Sequence, residues 1–207
     1  MHFRRFFLGA VASVPMLAMM AGAAHAQAMA PAAAKSFIQQ SGDKLVAIVN
    51  GDGTQRQKAT ELRDLVNQIV AVDQVGDYVL GRYNHVATPA QKQQFLTLFH
   101  QLLSYNITYQ IKAYKGVSFT VNKATQQGND VLVDTTVTAP DKSPADVGWV
   151  VEQDKGQPKI IDVIVAGTSL RITTRNDYAG VITDNGGQVS ALLSAMQNQI
   201  TKISSSQ

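Results

Sequence analysis

Residues 159–172, KIIDVIVAGTSLRI, constrain the fold more than any other part of this chain. They read as two short strands joined at Ala166-Gly167, and the first, residues 160–165, is apolar on both alternating faces apart from Asp162. An antiparallel strand with one wet face alternates apolar and polar residues, so this run predicts a sheet covered on both sides. The second face of such a sheet is either packed solid or lines a cavity for something apolar.

The N-terminus reads as a separate export segment. Residues 1–26 combine a basic start (Arg4, Arg5), an apolar run broken by Pro15, and the small-residue end Ala24-His25-Ala26. This is the pattern of a secretory signal with cleavage after Ala26. Its apolar run is shorter than the ~20 residues a membrane span needs. Arg4-Arg5-Phe6-Phe7-Leu8 also resembles a twin-arginine export signal, although no Ser or Thr precedes the pair. An ordinary signal with two adjacent arginines reads the same, and either route predicts a periplasmic protein. Cleavage would lower the net charge from +3 to +1, because two arginines leave and no acid does. The basic balance of the whole chain is thus partly the signal's, and no nucleic-acid partner is implied. With no cysteine, the chain has neither disulfides nor thiolate metal sites.

The remaining residues, 27–207, suit one domain with a sizeable core. Residues 27–34 are alanine-rich and read as a mobile leader. Phe37, Ser41, Leu45, Ile48 and Val49 recur at helical spacing, and Thr54 can cap a second helix carrying Leu62, Leu65, Val66 and Ile69. Asp73 starts a short helix closed at Leu80-Gly81. Thr88-Pro89-Ala90-Gln91 is a capping box opening a long helix with the stripe Phe95, Leu98, Phe99, Leu102 and Leu103. Beyond Leu103 its apolar residues, including Tyr105, Ile107, Tyr109 and Ile111, spread round the helix, which predicts burial on more than one side.

Gly116 marks a change of period. Residues 117–122, 131–138, 149–153 and 160–165 are predicted strands, with turns at 126–129 and 154–157 and a longer loop at 139–146. Residues 168–173 read as a last strand. Asn176 can cap a short helix with Tyr178, Val181 and Ile182, and a final amphipathic helix carries Val189, Leu192, Leu193, Met196 and Ile200. Helices first, an antiparallel sheet later and a helical tail predict a single α+β domain, with helices packed on a twisted sheet of four to five strands.

Catalytic equipment is sparse. Outside the signal, His85 and His100 are the only histidines, and no acid pair stands near them at ligand spacing, so no metal site is expected. No nucleophile elbow or phosphate-binding glycine loop occurs; Gly51-Asp52-Gly53 is a turn. Asn106-Ile107-Thr108 matches a glycosylation sequon by chance on a helix. Asp162 alone has an unusual setting. In an apolar cavity it could serve as a general base. The plainer reading is a structural acid, bonded to a turn or paired with Lys159 or Arg171.

Three segments, taken in order, carry a family pattern: Asp73-x4-Tyr78-Val79-Leu80-Gly81, then Thr88-Pro89-x-Gln91-Lys92-x2-Phe95-x3-Phe99-x5-Tyr105, then Ile160-x-Asp162-Val163-x3-Gly167-x-Ser169-Leu170. Together with the tail at Tyr178, Val181, Gly186-Gly187 and Leu192-Leu193, they resemble the periplasmic phospholipid-carrier proteins of the Mla pathway, the toluene-tolerance auxiliary family. Two departures stand out: Pro158 occupies a position where members often carry tryptophan, and Arg171-Ile172-Thr173-Thr174-Arg175 is more polar than usual. The resemblance implies a monomeric lipid carrier, not an enzyme and needing no cofactor, with a deep apolar pocket between sheet and helices. It would shuttle phospholipid between an inner-membrane ABC transporter complex and an outer-membrane lipoprotein complex. A hopanoid-related lipid is the alternative cargo, and a small-substrate enzyme using Asp162 the remote one. Candidate lining residues are Tyr78, Phe95, Phe99, Leu102, Tyr105, Val133, Val150, Val163, Val165 and Leu170. At about 0.8 kcal/mol per buried methylene, two acyl tails are held tightly with little polar recognition.

Overall fold

Helix boundaries along the chain follow from local capping chemistry. The computed structural model describes residues 29–109, 115–140 and 142–205, and the expected signal segment lies outside them. Six α-helices are present among these residues: α1 (Pro31–Asn50), α2 (Gln55–Ile69), α3 (Val72–Leu80), α4 (Pro89–Tyr109), α5 (Leu170–Asp184) and α6 (Val189–Ser204). A single 3-10 turn, Gly81–His85, links α3 to α4. Thr54 caps α2 in a reciprocal box: its hydroxyl accepts the Gln57 amide at 3.3 Å, while Gln57 Oε1 accepts the Thr54 amide at 2.9 Å. Thr88 and Gln91 make the same exchange at the start of α4, at 3.2 and 2.9 Å. Each box satisfies amides that the first helical turn leaves without partners.

Five strands follow in chain order as an antiparallel meander: β1 (Ser118–Gln127), β2 (Asp130–Thr138), β3 (Ala145–Asp154), β4 (Gln157–Val165) and β5 (Thr168–Ser169). The α+β class and the antiparallel sheet match the expectation. Four strands are longer than their apolar cores, because ladder bonding continues into polar residues near the turns.

Three details depart from the sequence reading. Residues 27–34 were expected as a mobile leader, but α1 already begins at Pro31, with Met29 and Ala34 buried. Alanine is the best helix former, and Pro31 at the first helical position starts the helix cleanly. Residues 168–173 were expected as a strand, yet only Thr168 and Ser169 pair with β4. Ser169 then caps α5, so Asn176 lies inside a helix instead of starting one. The third departure explains the odd pattern of β4. Val150 pairs with Asp162 and Val151 with Ile160, leaving Ile161 as an extra, bulged residue. Ordinary alternation sends Ile160 and Ile161 to opposite faces, and the bulge then shifts the phase, so that Ile160 shares the first face with Val163 and Ile161 the second with Ile164.

The first sheet face carries Val131, Val133, Val151 and Ile160 and is covered by α1 and α2 through Ala34, Ile38, Leu65 and Ile69. Within it, Trp149 Nε1 donates to the Thr135 hydroxyl at 2.9 Å, and that hydroxyl donates to the Val147 carbonyl at 2.9 Å. This chain satisfies a threonine that is otherwise wholly buried. Lys58 is buried too, its Nζ donating to the Val49 carbonyl at 2.8 Å near the end of α1.

The second face holds Val150 and Ile161 with half-buried Leu132 and Ile164. The chain between α2 and α3 pairs along the edge of β4, where Val70 bridges to Ile160, the Ala71 amide donates to the Ile160 carbonyl at 3.0 Å and Lys159 Nζ bonds the Gln68 carbonyl. It also packs Ala71 against Val150 and Ile161. A separate helical core from α3, α4, α5 and α6 is centred on Phe95, Ile182, Leu192 and Met196. Beyond Asn106 the side chains of the long helix, and all of Ile111, lie outside the description, so the expected all-round burial there concerns residues not described.

Candidate functional site

Where β4 ends, a two-residue turn brings the chain back on itself. Ala166 and Gly167 both take positive φ, 50° and 79°, a combination glycine tolerates and most residues avoid. The turn sets Ser169 beside Asp162. Asp162 is buried, and its oxygens are taken up by three donors: the Val163 amide at 2.8 Å, the Arg171 amide at 3.0 Å and the Ser169 hydroxyl at 2.5 Å. The Arg171 Nε lies 3.7 Å from the same carboxylate. A buried charge is tolerated when surrounded in this way, and the anion also suits the start of α5. The structural reading of Asp162, including its pairing with Arg171, is the one this geometry supports. Lys159 points elsewhere, to Gln68.

Arg171 and Arg175 are one helical turn apart on α5, and both guanidiniums lie over the Tyr78 ring of α3, at 4.3 and 5.0 Å from its centroid. Next to them is a cleft of about 240 Å3 lined by Leu80, Gly81, Arg82, Tyr83, Arg175, Asn176 and Ala179. Gly81 is required there, since a Cβ would sit 2.8 Å from Arg175 Nε and its φ is 57°. On the far wall, Arg82 donates to the Tyr83 hydroxyl at 2.9 Å and to Thr183 at 3.2 Å, and Tyr83 and Thr183 share a 2.8 Å bond. The hydrogen bond with Thr183, then that from Arg82, holds the Tyr83 phenol below its ordinary value. A wider groove of about 540 Å3 runs between α1 and α2, lined by Lys44, Ala47, Ile48, Glu61, Asp64, Leu65 and Gln68.

The ten candidate lining residues fall into four places. Phe95, Phe99 and Leu102 are buried in the helical core, with Tyr78 and Tyr105 half-buried against it. Phe95 stacks on Phe99 at 5.8 Å and meets Tyr178 edge-on at 6.1 Å. Val150 belongs to the second sheet face, whereas Val133 and Val163 lie on the first, under α1. Val165 and Leu170 are exposed, at 38% and 47%, and Ile172 joins them at 47%. That places three large apolar side chains in water at one end of the sheet, beside half-buried Ile164. The arginines on Tyr78 and the Arg82 cleft were not anticipated; the visible signal was the unusual polarity of residues 171–175.

Among the described residues, no group of three or more His, Cys, Asp or Glu could hold a metal. His100 instead meets Asp73 at 2.8 Å, tying α4 to α3. No helix of the described residues is long and apolar enough to cross a membrane.

These features define an α+β domain in which a five-stranded meander carries α1 and α2 on one face and a four-helix core beside the other. The family model described as MlaC protein matches residues 18–198, so the chain belongs to the MlaC family. It is 21% identical over 176 residues to the intermembrane phospholipid transport system binding protein MlaC of Haemophilus influenzae, covering 80% of this chain and 81% of that one. Its fold is similar to that of the phospholipid-binding protein from Ralstonia solanacearum, solved in complex with a phospholipid, with a TM-score of 0.73 and 23% identity. That match covers 83% of this chain and 98% of the other.

Proposed function

We propose that this protein is a periplasmic phospholipid carrier that moves lipid between an inner-membrane ABC transporter complex and an outer-membrane lipoprotein complex. The observation that carries the reading is membership of the MlaC family, joined to a fold shared with a protein solved around a phospholipid. The acyl chains occupy a pocket between the helical core and the second sheet face. Tyr78, Phe95, Phe99, Leu102 and Tyr105 form the helical wall, Val150 the sheet wall and Leu170 the mouth, with Val133, Val163 and the exposed Val165 on the other face of the sheet. The exposed apolar side chain at the mouth supports this, because it gains burial only when an apolar ligand or partner covers it. No catalytic step belongs to the reading. A general base needs a free lone pair aimed at substrate, and the Asp162 oxygens are engaged by the backbone, Ser169 and Arg171.

The test is direct. Purified from a periplasm and extracted with organic solvent, the protein should release about one phospholipid per chain by mass spectrometry. Recovery of no lipid overturns the carrier reading, and recovery of a hopanoid alone replaces the cargo.

A further inference from the structure

The cleft beside Tyr78 carries more positive charge than its surroundings balance. Arg171, one turn before Arg175, is matched by Asp162. Among the described residues neither Arg82 nor Arg175 lies within ion-pair distance of a carboxylate. Both nevertheless line one cleft of about 240 Å3, with the Asn176 amide beside them. Each is also held in place. Arg175 rests on Tyr78 and against Gly81, and Arg82 is fixed by Tyr83 and Thr183. Two guanidiniums held this way have already lost much of the freedom that binding would otherwise cost. Leu80 and Ala179 add apolar lining beside them.

We propose that Arg82 and Arg175 form an anion subsite for a phosphate diester, supplied by the headgroup of the bound lipid. The planar fork of arginine matches two phosphate oxygens at once, and the partly enclosed cleft strengthens that attraction over its value in water. The inference rests on the carrier reading and adds headgroup recognition to tails held by apolar burial. It predicts discrimination between lipids with the same acyl chains that carry or lack the phosphate diester.

The experiment measures uptake by the full secreted chain from vesicles of phosphatidylcholine holding equal traces of dioleoyl-phosphatidylglycerol and dioleoylglycerol. Wild type is expected to favour the phospholipid by about tenfold or more, and Arg82→Gln with Arg175→Gln to cut that ratio roughly tenfold. Arg63→Gln, on exposed α2, should keep the ratio. If the double variant does not fold, Arg82→Gln alone serves, since its side chain is exposed. Equal uptake of the two lipids by wild type, or an unchanged ratio in the arginine variants, overturns the subsite. Binding of inorganic phosphate that leaves the lipid ratio untouched also overturns it, because the anion would then not come from the lipid. Uptake of no lipid at all, the phosphatidylcholine included, rejects the carrier reading itself.

Discussion

The Ser169 hydroxyl donates to Asp162 Oδ2 at 2.5 Å and accepts the Ile172 amide at 3.1 Å. One side chain thereby joins a buried strand carboxylate to the first turn of α5. Asp162 reaches the same turn directly through the Arg171 amide. This junction orients the helix whose arginines lie on Tyr78, so sheet, α5 and α3 are fastened at one point.

Replacing Asp162 by Asn keeps the shape but loses the charge that three donors and Arg171 address. Hydrogen bonds to charged groups are worth about 1.5–3 kcal/mol, and a stability loss of that order is expected in urea unfolding. An unchanged midpoint would show that the junction contributes nothing. A variant of native stability that lost a measurable turnover would return Asp162 to catalysis.

Gly42 of α1 faces the Phe119 ring of β1 so closely that a Cβ would come within 1.9 Å of it. Inside a helix Gly→Ala ordinarily gains about 1 kcal/mol. Here overpacking costs about 1–3 kcal/mol and wins, so Gly42→Ala destabilises. In a Phe119→Ala background the sign should reverse, and a double-mutant cycle by chemical denaturation checks it.

Leu170 is about half in water, 47% exposed, and sits at the surface of α5, so Leu170→Gln should change stability by no more than about 0.5 kcal/mol. If Leu170 covers a bound acyl chain, its loss removes about 1.5–3 kcal/mol of apolar burial and weakens lipid uptake tenfold or more. Full uptake by this variant would place the mouth of the pocket elsewhere.

Burial, and secondly the Asp177 charge, raises the Tyr178 phenol above its ordinary 10.0. The folded state then holds its proton more tightly than the unfolded chain does. The associated stability is complete below pH 10.0 and is lost as pH climbs from there through the raised value. Tyr83, shifted the other way, gains stability on approach to 10.0 from below. Tyr178→Phe should therefore flatten the alkaline fall in melting temperature above pH 10.0, and an equally steep fall would contradict the assignment.

Much of the architecture was legible because its causes are local. The boxes at Thr54 and Thr88 fix two helix starts within four residues each. The apolar stripe from Phe95 to Leu102 reports a buried helix face, and alternation marks β2, where Val131, Val133 and Thr135 are buried in step. Residues 168–173 misled because Leu170 and Ile172 alternate like a strand. Their helical state comes from Ser169 and Asp162, which meet only after the hairpin has closed.

The doubly apolar strand at residues 160–165 marks the boundary between the two kinds of information. Composition and spacing sufficed for an α+β domain with a buried strand, since burial pattern depends on near neighbours along the chain. The tertiary structure alone put Ile160 with Val163 on one face and Ile161 with Ile164 on the other, because a bulge is a property of the pairing between β3 and β4. It alone distributed the candidate lining residues over both sheet faces, the helical core and the surface. It also brought Arg82 and Arg175 to one cleft across 93 positions of sequence. Such pairings depend on which elements pack together, and no local periodicity encodes them.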